Sequence, residues 1–291
     1  MSIRQTVEVP VRPWYRDHFF NGTTIFPAVE SMLFLAGVAR EIRPDTIIST
    51  ILKARFLKLL TIPKKIDKLT LIVEYDEEND NSCNDFQLRL LSRVQFRKIS
   101  RIKAHVEVAF PNVPGTPPGI PDLPPDKPLW IETERIYQEL VPFGPSYRTL
   151  KGELQIFGSS CRATLQAQAP GVPHIMEKEI GSPFLLDGAM HAASVLGQCL
   201  SDFVPFPVGF AKRFILRPTL AGHEYSTIIV TKSQTKEELL FDLWIIDPEG
   251  EICESVTGLR MRDVSKGTIK PPQNLPHVNF HRLPYCRQTS R

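Results

Sequence analysis

Two apolar segments without strict alternation lie along the chain, and each is followed by shorter segments in which apolar and polar residues alternate. The first, Ala28 to Ile42, is apolar on nearly every side, which predicts a buried helix that ends before Pro44. The second, Pro183 to Val204, has the same character. Segments such as RIKAHVEV (residues 101–108) have the period of a strand with one wet face. The pattern predicts an α+β fold with two buried helices, each packed on an antiparallel sheet.

A proline-rich stretch separates the two halves. Eight prolines lie between residues 111 and 128, and neither a helix nor a central strand tolerates that density. We predict an N-terminal unit at 1–110, an extended linker at 111–128, a C-terminal unit at 129–265 and a loose basic tail at 266–291. A buried helix followed by strands, repeated in both units, resembles two hotdog folds in tandem, a double hotdog.

Composition excludes several classes of protein. The 291 residues are 42% hydrophobic and 23% charged, as in ordinary globular proteins, and a net charge of +3 gives no argument for nucleic acid. No apolar run reaches the ~20 residues of a membrane span, and the first residues lack the apolar core of a signal peptide. Five scattered cysteines without a CxxC pair argue against a disulfide framework and a zinc site. We expect a cytoplasmic protein without a metal.

The first candidate for chemistry is His18, four residues before Gly22 and nine before Pro27. Glycine permits a positive φ or a close backbone approach, and proline suits the first turn of a helix. Free N–H groups at the start of that helix are suited to hold a carbonyl oxygen beside a histidine base. The alternative for His18 is a structural histidine beside an apolar helix.

The second candidate is Asp187, near the start of the second apolar helix. Its neighbours Phe184 to Leu186 predict partial burial, which tends to raise the pKa of a carboxyl and lets it act as an acid near neutral pH. His191 follows at i+4, on the same face of the helix. The alternative is a capping aspartate with an incidental histidine. Because His18 and Asp187 hold equivalent places in their units, we expect them to share one apolar cleft.

Four segments together resemble the dehydratase domains of polyketide synthases and animal-type fatty acid synthases. HFFNGTTIFP is similar to their H-x-x-x-G-x-x-x-x-P motif, DGAMH to D-x-x-x-Q/H and FGPSYRTL to Y-G-P-x-F, while VPFPVGFAKRFIL resembles the segment after their second helix. The resemblance extends over nearly the whole chain in the family's order. It implies a double-hotdog hydro-lyase that dehydrates a 3-hydroxyacyl thioester on an acyl carrier protein to the 2-enoyl thioester.

The resemblance also implies residue roles. His18 would take the α-proton, Asp187 would deliver a proton to the leaving β-hydroxyl, and His191 would orient Asp187. The backbone N–H of Gly22 would hold the thioester carbonyl. The substrate-binding residues would be Gly22, Pro27, Phe143, Gly144 and Tyr147. No cofactor is implied apart from the phosphopantetheine that carries the substrate. The implied partners are the acyl carrier protein, other synthase domains and, as an option, a second copy of the chain, with no nucleic acid and no membrane.

Two positions depart from the family pattern. Phe143 stands where the family has tyrosine, and Ala28 stands where it usually has glycine. The missing tyrosine hydroxyl puts the rate and the substrate choice in doubt. A double-bond isomerase on the same scaffold would use the same base and pocket. A non-catalytic module that binds an acyl chain or synthase partners is the other alternative, which the pair His18 and Asp187 disfavours.

Overall fold

The structure is a computed structural model that describes residues 1–76, 85–96, 99–125, 127–168 and 171–278. The helices are α1 (Ala28–Ile42), α2 (Thr133–Arg135), α3 (Glu177–Ile180) and α4 (Pro183–Leu200). The strands are β1 (Ser2–Pro10), β2 (Phe19–Phe20), β3 (Thr23–Thr24), β4 (Thr50–Phe56), β5 (Lys68–Asp76), β6 (Phe86–Phe96), β7 (Ile99–Phe110), β8 (Leu129–Glu132), β9 (Leu150–Phe157), β10 (Ser160–Gln166), β11 (Phe206–Ile215), β12 (Glu224–Gln234), β13 (Glu238–Ile246) and β14 (Ile252–Arg262). Short 3₁₀ turns cover Pro13–Asp17 and Pro145–Tyr147, and a π-helical turn covers Ile136–Leu140.

One continuous antiparallel sheet contains twelve of these strands, in the order β1-β5-β6-β7-β4-β11-β14-β13-β12-β10-β9-β8. The pairing of β4 with β11 joins the strands of the first half to those of the second. Gly209 is required at this join because its φ is +143° and a Cβ there would collide with the carbonyl oxygen of Ala54. The two halves therefore share one sheet.

The two long helices lie in the core and contact each other. Helix α1 has the predicted bounds and packs on β6 and β7, whereas α4 ends at Leu200, before the predicted Val204, and packs on β9, β10, β12 and β13. Every residue of α4 is buried, which explains why its sequence has no polar face. Within the described part of the chain, no helix is long and apolar enough to cross a membrane.

The hydropathy pattern did not predict the first strand, which lies at one edge of the sheet. Strand β1 pairs with β5 along its whole length, but of its alternating apolar residues Ile3, Val7 and Val9 only Val9 is fully buried, so its apolar face is a weak signal. The proline-rich stretch has no helix or strand in its described residues, 111–125 and 127–128. It lies against the C-terminal half, where Trp244 Nε1 donates to the Pro118 carbonyl at 3.1 Å. The division into two units stays a prediction.

The C-terminal segment is attached to the second half up to residue 278. The N–H of Val278 donates to the carbonyl of Cys199 at 2.9 Å, and the Arg135 guanidinium donates to Asn274 at 2.9 Å. Leu275 packs against the core. The looseness predicted for the tail can therefore apply only to its remainder, which lies outside the described residues.

Candidate active site

His18 directly precedes a two-residue β-hairpin. Strands β2 and β3 are joined by Asn21 and Gly22, whose φ angles of 47° and 71° are those of the turn type that favours Asn-Gly. At the base of the hairpin the N–H of Ile25 donates to the His18 carbonyl at 2.9 Å, and His18 Nδ1 lies 3.1 Å from the Ile25 carbonyl oxygen. Because a carbonyl oxygen only accepts, Nδ1 carries the proton and Nε2 keeps its lone pair.

The surroundings of His18 favour the neutral imidazole. Burial lowers the pKa of His18, the charge of Asp187 raises it in part, and the net direction is below the usual 6.5. The side chain is therefore uncharged at neutral pH. A neutral imidazole with a free Nε2 is the form that accepts a proton.

Asp187 and His191 lie side by side on α4, with Asp187 Oδ2 2.9 Å from His191 Nε2. Both residues are buried, at 8% and 4% exposure. This contact is close, and neither atom has another hydrogen-bond partner among the described residues. Buried polar atoms in this condition are costly unless a ligand completes them.

The pKa of Asp187 differs from the expectation of a raised value. Burial does raise the pKa of this carboxyl, but the interactions with His191 and then with His18 outweigh burial and hold the pKa below 3.8. The expectation was wrong because it counted the apolar neighbours and not the two imidazoles. In the free protein Asp187 is therefore a carboxylate.

Tyr137 fixes the far side of His191. Its hydroxyl accepts the N–H groups of Thr149 and Leu150, both at 2.9 Å, and lies 3.5 Å from His191 Nδ1. Burial raises the pKa of Tyr137 to about 12, so the hydroxyl keeps its one hydrogen and can direct it only at Nδ1. The proton of a neutral His191 then resides on Nε2, facing Asp187. Sequence reasoning missed Tyr137, which belongs to none of the motifs.

Phe143 lies between the two histidines. Its ring stacks on His18 with a centroid distance of 4.6 Å and an interplanar angle of 16°, and on His191 at 4.8 Å and 19°. The two imidazoles therefore face each other across one flat ring, with Asp187 beside the second. The structure thus brings together residues from the hairpin, the loop before β9 and α4.

The loop that contains Phe143 is hydrogen-bonded to Asp17, the residue before His18. The N–H and the hydroxyl of Ser146 both donate to Asp17 Oδ2, at 2.9 and 2.6 Å, and the Gly144 N–H donates to the Asp17 carbonyl at 2.8 Å. A Cβ on Gly144 would lie 2.5 Å from the Asp17 carboxylate, so only glycine fits. This close approach accounts for Gly144. Sequence reasoning missed Asp17 and Ser146, and no motif points to them.

The other predicted site residues take different places. Tyr147 is fully buried and meets His18 edge-on at 5.1 Å. Pro27 precedes the first residue of α1, and its carbonyl accepts both the N–H and the hydroxyl of Ser31, each at 3.0 Å. Gly22 is exposed at the hairpin turn, and its contact with a substrate carbonyl stays a prediction.

The protein also has a cavity of about 410 Å³, lined by Arg43, Asp45, Phe86 and Phe110 among others. It follows the C-terminal end of α1, whereas His18 precedes the N-terminal end, and a 15-residue helix is ~22 Å long. The cavity contains none of the candidate residues. It is therefore separate from the site around His18.

The described cysteines have the properties of packing residues. Cys161, Cys199 and Cys253 are buried and unpaired, and burial raises the pKa of Cys199 to about 12 and that of Cys253 to about 11. Such thiols are poor nucleophiles. Among the described residues, no three His, Cys, Asp or Glu side chains are grouped as a metal site. Cys83 and Cys286 lie outside them.

Solved structures share this architecture. The dehydratase domain from the CurJ module of curacin polyketide synthase has a TM-score of 0.70 and 17% identity, covering 90% of this chain and 91% of that chain. The bifunctional dehydratase-cyclase domain in ambruticin biosynthesis has a TM-score of 0.65 and 17% identity, covering 90% and 91%. An isomerase-inactive variant of GphF DH1 has a TM-score of 0.69 and 16% identity, covering 92% and 93%. The predicted α+β double-hotdog fold is confirmed.

The family follows from the sequence comparison. The family model for the polyketide synthase dehydratase N-terminal domain matches residues 116–269, more than half of the chain. The chain therefore belongs to the polyketide synthase dehydratase family, and the predicted membership and enzyme class are confirmed. The match contains Phe143, Asp187 and His191 but not His18. No curated protein is similar enough in sequence to match.

Proposed function

We propose that this protein eliminates water from a 3-hydroxyacyl thioester held on the phosphopantetheine of an acyl carrier protein, and releases the 2-enoyl thioester. The observation that carries the proposal is the facing arrangement of His18 and His191, with Asp187 beside the second ring. A base on one side of a flat slot and a proton-bearing pair on the other suit removal of Hα and loss of the hydroxyl from adjacent carbons.

His18 is the base in this proposal. Its Nδ1–H is held by the Ile25 carbonyl, so Nε2 can take the α-proton from the carbon next to the thioester carbonyl. The electrons of that C–H bond form the Cα–Cβ double bond as the C–O bond at Cβ breaks. Gly22 N–H, by family analogy, binds the thioester oxygen, where negative charge develops.

Asp187 and His191 together are the acid. The leaving hydroxyl departs as water and needs one proton. Because Asp187 is a carboxylate in the free protein, we propose that it takes up one proton when the substrate binds and passes that proton to the hydroxyl, while His191, 2.9 Å away, keeps its own proton and orients the carboxyl group. The donation returns Asp187 to the carboxylate, and His18 releases the α-proton to solvent after the product leaves.

Phe143 occupies the space that the substrate needs. The ring is flat and lies parallel to both imidazoles, as the conjugated enoyl thioester would. We infer that the ring moves aside on binding and then forms one wall of the slot. No metal or organic cofactor takes part in this mechanism.

Replacing Phe143 by tyrosine should change kcat/KM on a carrier-bound 3-hydroxyacyl substrate by roughly two- to tenfold, the usual size of one neutral hydrogen bond. The reason is that the new hydroxyl would extend from a ring that stacks on both His18 and His191. Steady-state kinetics on two chain lengths measures the effect. Phe143→Leu is the control for loss of the aromatic ring without a hydroxyl. A Phe143→Tyr variant with wild-type kinetics on both substrates would place this ring outside the reacting space.

A double-bond isomerase is the second candidate, because one of the solved structures with this fold is an isomerase-inactive variant of GphF DH1. Isomerisation would use the same base without loss of water. A binding module without activity is the third. Incubation with 3-hydroxyacyl and with 2-enoyl pantetheine thioesters, followed by mass spectrometry and NMR of the products, separates them. Loss of 18 Da from the first substrate supports the dehydratase, a shifted double bond in the second supports the isomerase, and no change in either supports the binding module.

We further propose that the acyl carrier protein and other polyketide synthase domains are the partners of this chain in the cytoplasm, with a homodimer as an option. Membership of the family supports the synthase context. Size-exclusion chromatography with light scattering tests the dimer, and cross-linking of a pantetheine-loaded carrier protein to the chain tests the carrier contact.

A further inference from the structure

The hydroxyl of Tyr147 is buried without a partner. The residue is 0% exposed, and its hydroxyl has no hydrogen bond to any described residue. A buried donor in this condition costs folding free energy, and such groups in native proteins usually have a functional explanation. The described part of the chain therefore offers this hydroxyl no partner.

Tyr147 belongs to the wall of the active site. Its ring meets His18 edge-on at 5.1 Å and is tilted against Phe143 at 6.4 Å. On the other side it packs on Phe184 at 5.1 Å, one turn before Asp187 on α4. The Tyr147 ring therefore lines the site between His18 and the start of α4.

The side of His18 that Tyr147 occupies is the inner one. The hairpin turn at Gly22 is exposed, Phe19 is 36% exposed and His18 is half-buried, whereas Tyr147 and Phe184 are buried. The thioester end of a carrier-bound substrate must reach the surface, where the carrier stays. The acyl chain beyond the β-carbon therefore extends inward, toward Tyr147.

The interior beyond Tyr147 is polar for a protein core. Glu30 is 4% exposed and accepts from Trp14 Nε1 at 2.9 Å and from the Tyr15 hydroxyl at 3.4 Å. Burial raises the pKa of Glu30 to about 7. Burial, followed by the charges of Glu30 and Asp187, raises the pKa of Tyr147 well above its usual value, so its hydroxyl remains a hydrogen-bond donor.

We propose that Tyr147 selects acyl chains that carry an oxygen beyond the β-carbon, by donating a hydrogen bond from its buried hydroxyl to that oxygen. The inference rests on the proposed function for the direction of the chain. It makes Tyr147 a specificity-determining residue: a chain with only methylene groups at that depth leaves the donor unpaired, and the protein rejects it.

The test compares three pantetheine thioesters of equal length: 3-hydroxyoctanoyl, 3,5-dihydroxyoctanoyl and 3,7-dihydroxyoctanoyl. The wild-type protein should dehydrate one of the two dihydroxy substrates with a kcat/KM about tenfold above that of the monohydroxy substrate, as one hydrogen bond allows. In Tyr147→Phe this ratio should fall to about one. Without the hydroxyl, the dihydroxy substrate gains no hydrogen bond and the monohydroxy substrate leaves no donor unpaired. A ratio that is the same in Tyr147→Phe and in the wild type overturns the inference.

Tyr225→Phe is the matched control. Its hydroxyl is also largely shielded, but it accepts from the Leu220 N–H at 3.0 Å, at the start of β12 and outside the site. This variant should keep the wild-type ratio. A purely structural role of Tyr147 would lower kcat/KM for all three substrates equally and leave their ratio unchanged, which also counts against the inference.

A binding measurement separates this inference from the proposed function. Calorimetric Kd values for the same thioesters are measured in His18→Ala and in His18→Ala/Tyr147→Phe. If the Kd ratio depends on Tyr147 but the wild-type protein dehydrates nothing, the dehydratase function is wrong and the inference stands. If dehydration occurs and neither ratio depends on Tyr147, the function stands and the inference is wrong.

Discussion

His18→Ala should lose nearly all dehydration of a carrier-bound 3-hydroxyacyl substrate. General-base catalysis is worth ~10²–10⁴-fold. Nε2 of His18 is the free imidazole nitrogen on its side of the slot, because Nδ1 is held by Ile25 and His191 is occupied with Asp187 and Tyr137 on the other side. Single-turnover measurement of the 2-enoyl product by mass spectrometry reports the chemical step.

His223→Ala is the control for this variant, because His223 is exposed and lies outside the site. It should retain wild-type turnover. Thermal unfolding of His18→Ala checks that the variant is folded, because the ring contacts with Ile25, Phe143 and Tyr147 are lost while the backbone bond from the Ile25 N–H to the carbonyl of residue 18 is kept. Wild-type-like turnover in a folded His18→Ala protein would show that His18 is not the base, and would leave the binding module as the function.

Asp187→Asn should also lose most activity, by ~10²–10⁴-fold, because an amide of the same shape cannot pass a proton to the leaving hydroxyl. Residues that act as one unit are not additive. The double variant His18→Ala/Asp187→Asn should therefore be little slower than the slower single variant. Multiplicative losses in the double variant would show that the two side chains act independently and contradict a shared site.

The pH profile of kcat/KM is expected to be bell-shaped. Protonation of His18 sets the acidic limb, and since burial lowers the pKa of His18, this limb should lie below pH 6.5. The charge of Asp187 partly raises the pKa of His18, so the residual activity of Asp187→Asn should have its acidic limb at still lower pH. An acidic limb at the same pH in Asp187→Asn and in the wild type would show that the charge of Asp187 does not act on His18.

The sequence predicted those elements that depend on interactions between neighbouring residues. The all-round apolar character of Ala28–Ile42 predicted α1 with its observed bounds. The segment DPEG, Asp247 to Gly250, has the composition of a hairpin turn and forms the turn between β13 and β14. The spacing of His18 from Gly22 indicated a turn that requires a positive φ, and the structure has it. Burial periodicity and turn preference are properties of neighbouring residues, so a single sequence reveals them.

Contacts between distant segments were not predictable in the same way. Nothing near Asp17 in the sequence points to Ser146, which it binds, and Tyr137 precedes His191 by 54 residues. The first strand escaped prediction because its apolar face is only partly buried, while its pairing with β5 extends along its whole length. Hydrogen bonds of this kind depend on which segments the fold brings together.

By itself the sequence determined the two buried helices, the strands between them, the family and the candidate residues His18, Asp187 and His191. Only the tertiary structure decided the relative positions and the protonation states of these residues. It placed Phe143 between the two imidazoles, and it reversed the expected pKa shift of Asp187. The physical reason is that a helix or a turn is determined by short-range preferences, whereas a pKa is a balance of burial and charge set by distances between side chains that only the folded chain brings together.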